Sequence, residues 1–301
     1  MAQGIAAPKY IIVSPVKDER RFVESTIQSV LNQTVKPIQW IIVDDGSKDG
    51  TTDILDAYGA KYDWISVIRL NRAGERRPGS AVIYAFNKGC ESIKDENFDF
   101  IVKLDCDLSF EQDYFEKLFL QFHADDKLGI ASGVYVESSR SGGLPVDMPE
   151  YHAAGASKVL RSQCYRAIGG FTAERGWDTV DEIKAQSRGW KTRHFNDIVF
   201  RHLKNEGSGI GNIQTNKMHG EIYYLTGGSK LFFLFKLAHR IIFGSPVVIG
   251  GLMMLIGYLT PMIKGKSLLV DDKEAQSYRK LLNKRIIDKL KMRAIRADRM
   301  V

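Results

Sequence analysis

Apolar and polar positions alternate along the first 125 residues in a rhythm that predicts four strand and helix pairs. "YIIVSPV" (10–16) is a short apolar run, and "DERRFVESTIQSVLNQ" (18–33) places Phe22, Val23, Ile27, Val30 and Leu31 on one helical face, with acids early where the helix dipole favours them. "IQWIIVDDGS" (38–47) reads as a second buried strand. "DGTTDILDAYG" (49–59) reads as a second helix, capped by Asp49 or Thr51 and stopped by Gly59. "WISVIRL" (64–70) and "GSAVIYAFNKGCESI" (79–93) form the third pair, "FDFIVKLDCD" (98–107) and "EQDYFEKLFLQF" (111–122) the fourth.

This alternation predicts an α/β fold: a Rossmann-like, mostly parallel sheet flanked by helices, with ligands bound beyond the carboxyl ends of the strands. Asp44 and Asp45 close the second strand, and Asp105 and Asp107 close the fourth, so both acidic pairs are expected on one rim. From about Gly129 the pattern loosens into an irregular polar stretch followed by shorter periodic segments. The expected division is a first domain over 1–226, with a first half to about 125 and a second half over about 126–226. A hydrophobic segment over 227–263 and a basic tail over 264–301 follow.

Residues 241–263 carry no charge and are long enough for a bilayer core. The preceding "KLFFLFKLAHR" interleaves apolar and basic residues as an in-plane interfacial helix would. A single span would place the basic tail outside, against the positive-inside tendency. A shallow or re-entrant association, kinked at Pro246 or Pro261, is therefore expected over a single-pass span, and a buried core helix is the plain alternative.

Charge sharpens this picture. The 301 residues carry a formal net charge of +7, and lysines and arginines outnumber acids from Lys264 onward. Such a tail suits anionic lipid, and nucleic acid is not expected as a partner. Three scattered cysteines fit a reducing compartment, and the first residues lack the charged start and long apolar stretch of a secretory signal. The expected location is the cytoplasmic face of the cell membrane.

Two carboxylates one residue apart at a strand end can bind a divalent cation that also touches phosphate oxygens; a solvated acidic turn is the plain alternative. Arg72, Arg76 and Arg77 could reach phosphate with paired donors or lie in a solvated loop. A carboxylate at a helix start can serve as a general base, which contributes about 10²–10⁴ in rate. "GWDTVDEIKAQSRGWK" (176–191) offers Asp178, Asp181 and Glu182 at a helix start, with ordinary N-capping as the alternative.

The stretch from "YIIVSPVKDER" to "VDDGSKDGTTDIL", then "FIVKLDCDLSF", then an acidic helix start before "RGWK", resembles the family 2 glycosyltransferases of the GT-A fold. The resemblance runs over about residues 10–125, extends less closely to about 225 and fades in the hydrophobic segment, which implies a donor-binding half over about 1–125 and an acceptor-side half over about 126–226. It implies an inverting, metal-assisted sugar transfer from a nucleotide diphosphate sugar, with Mg²⁺ or Mn²⁺ as cofactor and a glycan or lipid-linked acceptor. Pro15, Val16 and Glu19 match the wall beside the donor base, although "PVKDER" stands where an Asn-Glu pair is common. Asp45 matches the aspartate that contacts the nucleobase or ribose, with Asp44 beside it, and uridine is the favoured base. Asp105 and Asp107 match the metal and diphosphate motif, in which the second aspartate touches the ion most directly. His202 stands where family members have a histidine that completes the metal shell or touches phosphate. The family's acidic pair precedes a Gly-aromatic-basic turn. Spacing to Gly189 points to Asp178 as the base, and the Asp-Glu dipeptide points to Asp181.

A dinucleotide-dependent oxidoreductase would need a glycine-rich turn after the first strand, and "VSPVKDER" has no glycine. A sugar-phosphate nucleotidyltransferase would need a different, glycine-rich first loop. A non-catalytic scaffold of the same fold has no reason to hold three acids around one cleft. Transfer to a polyprenyl phosphate stays open within the enzyme class.

Overall fold

The computed structural model describes residues 7–70, 80–137, 145–204 and 211–298, and these fall into two compact units, 1–206 and 207–301. In unit 1 the elements alternate as β1 (Tyr10–Val16), α1 (Val23–Leu31), β2 (Gln39–Asp44), α2 (Thr51–Lys61), β3 (Ile65–Arg69), α3 (Ser80–Cys90) and β4 (Phe100–Leu104). They continue through β5 (Leu108–Phe110), α4 (Tyr114–Ala124), β6 (Leu128–Glu137), β7 (Ser157–Arg161), α5 (Ser162–Ala167), α6 (Trp177–Ser187) and β8 (Lys191–His202). One sheet runs in the order β3-β2-β1-β4-β7-β6-β8-β5. Neighbours from β3 to β4 are parallel, as are β6 and β8, while β7 pairs antiparallel with β4 and β6, and β5 with β8.

The central strands read as unbroken apolar runs because both of their faces are covered. Tyr10, Ile12, Trp40, Ile42, Val102 and Leu104 face a core closed by Ile27 of α1 and by Phe115 and Phe119 of α4. Their alternates Ile11, Val13, Ile41, Val43 and Ile101 face a second core with Ile83 and Phe86 of α3 and Trp177 of α6. With β2, β1 and β4 parallel and adjacent, their carboxyl ends share one edge, and the acids at those ends lie along it.

Local chemistry moves some boundaries. Residues 18–22 do not open α1: Asp18 has φ 55°, its N–H donates to Ser47 Oγ, the Arg20 N–H donates to Asp49, and the Lys48 N–H donates to Asp18. Side chains that offer the backbone such bonds compete with helix. Asp49 also accepts the Thr51 N–H while Gly50 takes the cap position of α2, and that helix runs past Gly59 to Lys61.

Unit 2 contains α7 (Asn212–Leu225), α8 (Lys230–Phe243), α9 (Ile249–Ile263) and α10 (Asp272–Asp298). Residues 207–226, grouped by the sequence pattern with the first domain, belong here because α7 packs along α9 at backbone distance. A Cβ at Gly220 would fall 1.9 Å from the Met254 carbonyl oxygen, and one at Gly257 the same distance from that of Lys217. The uncharged run 241–263 is not one helix. It breaks over residues 244–248 around Pro246, and among the described residues no helix is long and apolar enough to cross a membrane. The basic tail is largely helical, as α10.

Candidate active site

The shared edge is built from the ends of β1, β2 and β4. Pro15 and Val16 are buried, and Val16 lends its carbonyl to the Asp45 N–H at 2.9 Å while its side chain joins the core. Asp44 is committed to the turn: one oxygen accepts the Ser47 N–H at 2.8 Å and the other the Thr52 hydroxyl at 2.6 Å. Asp45 is buried beside it. Arg72, Arg76 and Arg77 lie outside the described residues.

Between β4 and β5 the chain bends at 106 and 107 while its side chains still alternate in direction, which explains a cysteine between two aspartates. Cys106 points into the core, and Asp105 and Asp107 point to the edge. The Asp105 N–H donates to the Ala156 carbonyl at 2.8 Å, and Thr26 clamps Leu108 through both its N–H and its carbonyl. Leu108 is then in register with His202 across the antiparallel β5 and β8 pair. This pairing brings His202 to Asp107, with Nε2 3.5 Å from Oδ1. Asp105, Asp107 and His202 each offer one ligand atom, and these atoms lie within 4.8 Å of one another.

The donor set fits a hard divalent cation. His202 Nδ1 bonds the Lys204 carbonyl, which can only accept, so Nδ1 carries the hydrogen and Nε2 is the ring nitrogen that faces Asp107. Burial and then the neighbouring Asp105 charge push the Asp107 carboxyl up to about 6. A cation among these three groups relieves the carboxylate repulsion. Two lysines stand close by. Lys103, buried within β4, donates to Asp105 at 2.5 Å, and Lys204 donates to Glu19 at 2.6 Å.

A cavity of about 230 Å³ opens beside this group, lined by Lys103, Asp105, Tyr135, His152, Trp177 and Asp178 among others. The Tyr135 ring also lies 6.0 Å from the His202 ring, so cavity and ligand set adjoin. A second hollow, of about 220 Å³, is lined by Phe100, Phe119 and Arg161 and contains none of the candidate residues.

The three acids of α6 separate in space. Asp178 lines the cavity. Asp181 and Glu182 turn inward to the fully buried Lys158, whose ammonium lies 3.0 Å from Asp181 and 3.2 Å from Glu182 and also donates to the Asp178 carbonyl. Burial pushes the Asp181 carboxyl up to about 8, with Glu182 adding to the rise and Lys158 opposing it. Burial alone would raise Glu182 too, yet His152 and Lys158 hold it below its ordinary value. None of the three caps the helix, because Gly176 occupies that position without a side-chain bond. Glu182 further accepts the Ala153 N–H and holds His152 Nδ1 at 3.0 Å.

Lys103, Lys158, His152, Trp177 and Lys204 are absent from the sequence-level candidates. The signal for the first two is a lysine inside an apolar strand, "FIVKL" and "SKVLR". They are register partners on β4 and β7, and both ammoniums lie 5.3 Å from the centre of the Trp177 ring. Lys158→Met should leave two buried carboxylates without their cation and destabilise the fold by about 3–5 kcal/mol. The check is a lower urea midpoint at unchanged m value.

The sequence model of glycosyl transferase family 2 matches residues 11–174. The Bacillus subtilis (strain 168) glycosyltransferase TuaG, named for teichuronic acid biosynthesis, is 36% identical over 110 residues, covering 36% of this chain and 40% of TuaG. The chain thus spans well under two thirds of that relative's length. Among solved structures, the mannosyltransferase PcManGT from Pyrobaculum calidifontis, in complex with GDP-Man and Mn²⁺, superposes with a TM-score of 0.57 at 13% identity, covering 92% of this chain and 85% of that one. S. aureus TarS 1–349 in complex with UDP-GlcNAc gives a TM-score of 0.54 at 15% identity, covering 90% and 78%. At such identities the likeness is one of fold. With the family model matching more than half of this chain and a GT-A-like sheet beneath the acidic edge, the chain belongs to glycosyl transferase family 2.

Proposed function

We propose that this enzyme transfers a sugar, with inversion, from a nucleoside diphosphate sugar, UDP-sugar favoured, to a glycan or lipid-linked acceptor. The observation that carries this reading is that Asp105 of the candidate ligand set and Asp178, alone among the α6 acids, line one cavity. Asp178 takes the proton of the acceptor hydroxyl as that oxygen attacks the anomeric carbon, and the diphosphate leaves from the opposite face. When bound, Mg²⁺ or Mn²⁺ held by Asp105, Asp107 and His202 supplies the positive charge that stabilises that leaving group.

The chain's other residues bind and orient. Asp45 meets the nucleoside, with Pro15 and Val16 forming the wall behind it and Asp44 fixing the turn that presents it. Glu19, held by Lys204, closes the same side. Lys103 neutralises Asp105 from below, leaving the other carboxylate oxygen for the ion. His152, fixed through Nδ1 by Glu182, turns its other ring nitrogen to a sugar hydroxyl in the cavity. That PcManGT and TarS hold GDP-Man and UDP-GlcNAc supports a nucleotide sugar as donor class.

A thermal-shift series with UDP, GDP and their sugars, each with and without Mn²⁺, tests the reading. A ligand at a hundred times its Kd stabilises the native state by about 2.7 kcal/mol. UDP with Mn²⁺ is expected to raise the melting temperature more than the sum of either alone. Binding that ignores the metal, or no binding of any nucleotide, favours the scaffold reading. Partition of the labelled product into an organic phase separates a lipid-linked acceptor from a soluble glycan.

A further inference from the structure

The helices of unit 2 present an inverted surface. On α9 the small residues Gly250, Gly251 and Gly257 are buried, two of them at close approaches to α7 and α8, and the large aliphatic ones face out. Ile249, Leu252, Ile256 and Ile263 follow one another at helical spacing along its exposed side, Ile263 being 79% exposed. On α8 the exposed stripe is Leu231, Leu234, Phe235 and Ile242, with Leu234 61% exposed. Val247 and Val248, in the break between the helices, are exposed as well, so the apolar surface continues from one helix to the next. Monomeric soluble proteins rarely expose apolar surface on this scale without a partner for it.

Charge identifies the partner. Between Glu221 and Asp271 the chain has no carboxylate side chain, whereas Lys230, Lys236, Arg240, Lys264 and Lys266 flank the apolar residues. Lys236 is an exposed residue whose ammonium lies 5.6 Å from the Tyr223 ring centre, and the Arg285 guanidinium lies 5.6 Å from that of Phe232. The Lys236 ammonium sits below its ordinary range, through desolvation by its neighbours first and then through Arg240 and Arg285. These cations crowd one another beside an apolar stripe. A second copy docked face to face would set them against their own images. An anionic lipid surface takes both the charge and the apolar side chains.

We propose that the outer face of α8 and α9 docks in the headgroup layer of an anionic bilayer, with the aliphatic stripe in the acyl boundary and Lys236, Arg240 and Arg285 against lipid phosphate. The two helices lie in the membrane plane and neither crosses it. This attachment is independent of the reaction proposed above.

Flotation of the full chain with vesicles of neutral phosphatidylcholine, and of phosphatidylcholine mixed with anionic phosphatidylglycerol, tests it. The protein is expected to float with the anionic vesicles, and the doubly substituted Leu234→Asp, Phe235→Asp protein to partition at least about tenfold less. Both positions are exposed, so that variant should keep the parent's circular dichroism and melting temperature. Lys236→Gln with Arg240→Gln should abolish the preference for anionic over neutral vesicles. The proposal is overturned if the parent chain stays unbound with both vesicles, or if the Asp variant floats equally well. A dimer in light scattering that the Asp variant dissolves, without vesicle binding by the parent, would assign the face to a second copy.

Discussion

Asp107→Asn should lower turnover by on the order of 10²–10³-fold or more while the protein stays folded, because it removes the charged ligand that faces both Asp105 and His202. The fold itself gains from the change when no metal is present. The Asp107 carboxyl is pushed up to about 6 from an ordinary value of 3.8. Since the folded value is the higher one, the contribution of Asp107 to stability is fully present below about pH 4 and is lost as pH rises through 6. In metal-free buffer the variant should therefore melt above the parent at pH 7, and the gap should close on acidification. Adding Mn²⁺ should stabilise the parent and leave the variant unmoved. Near-normal turnover in Asp107→Asn, or equal stabilisation of both proteins by Mn²⁺, would remove Asp107 from the ligand set.

Asp178→Asn should cost about 10²–10⁴ in kcat, the usual contribution of a general base. Binding of nucleotide with Mn²⁺ should persist, because Asp178 is not one of the three candidate ligands. Asp181→Asn should behave differently. Both oxygens of that side chain accept from the buried Lys158 ammonium, and an amide would turn N–H donors toward that cation, so the change should appear as a lower urea midpoint rather than as a pure rate defect. Measuring kcat and unfolding side by side for the two variants distinguishes a base from a buried ion-pair partner. If Asp181→Asn lost turnover at unchanged stability while Asp178→Asn stayed active, the roles assigned here would be reversed.

The candidate site was legible in the sequence wherever chemistry sits at the end of a strand. β1, β2 and β4 are continuous apolar runs because both of their faces are covered, and a parallel arrangement puts their acidic ends on one edge. Asp105 and Asp107 could therefore be paired from spacing alone, and Cys106 between them follows from the two-residue period. The α6 acids were less legible. Positions 178, 181 and 182 are three and four residues apart and share one helical face, so periodicity cannot rank them. What separates them is Lys158, a residue of β7 placed by its pairing with β4. His202 matched the family by position, but its approach to Asp107 depends on the β5 and β8 pairing across more than ninety residues of chain.

The sequence by itself determined the strand and helix alternation, the acids at the strand ends, and the basic, carboxylate-free character of the region around 222–270, since each depends on local period and composition. Only the tertiary structure decided that Asp178 meets the cavity while Asp181 and Glu182 are sealed against Lys158. It also decided that the uncharged run 241–263 breaks into two helices, and that α7 joins α9. The reason is physical. A side chain's partner across a sheet or between helices is set by long-range register and close packing, and neither leaves a periodic mark on the chain near that residue.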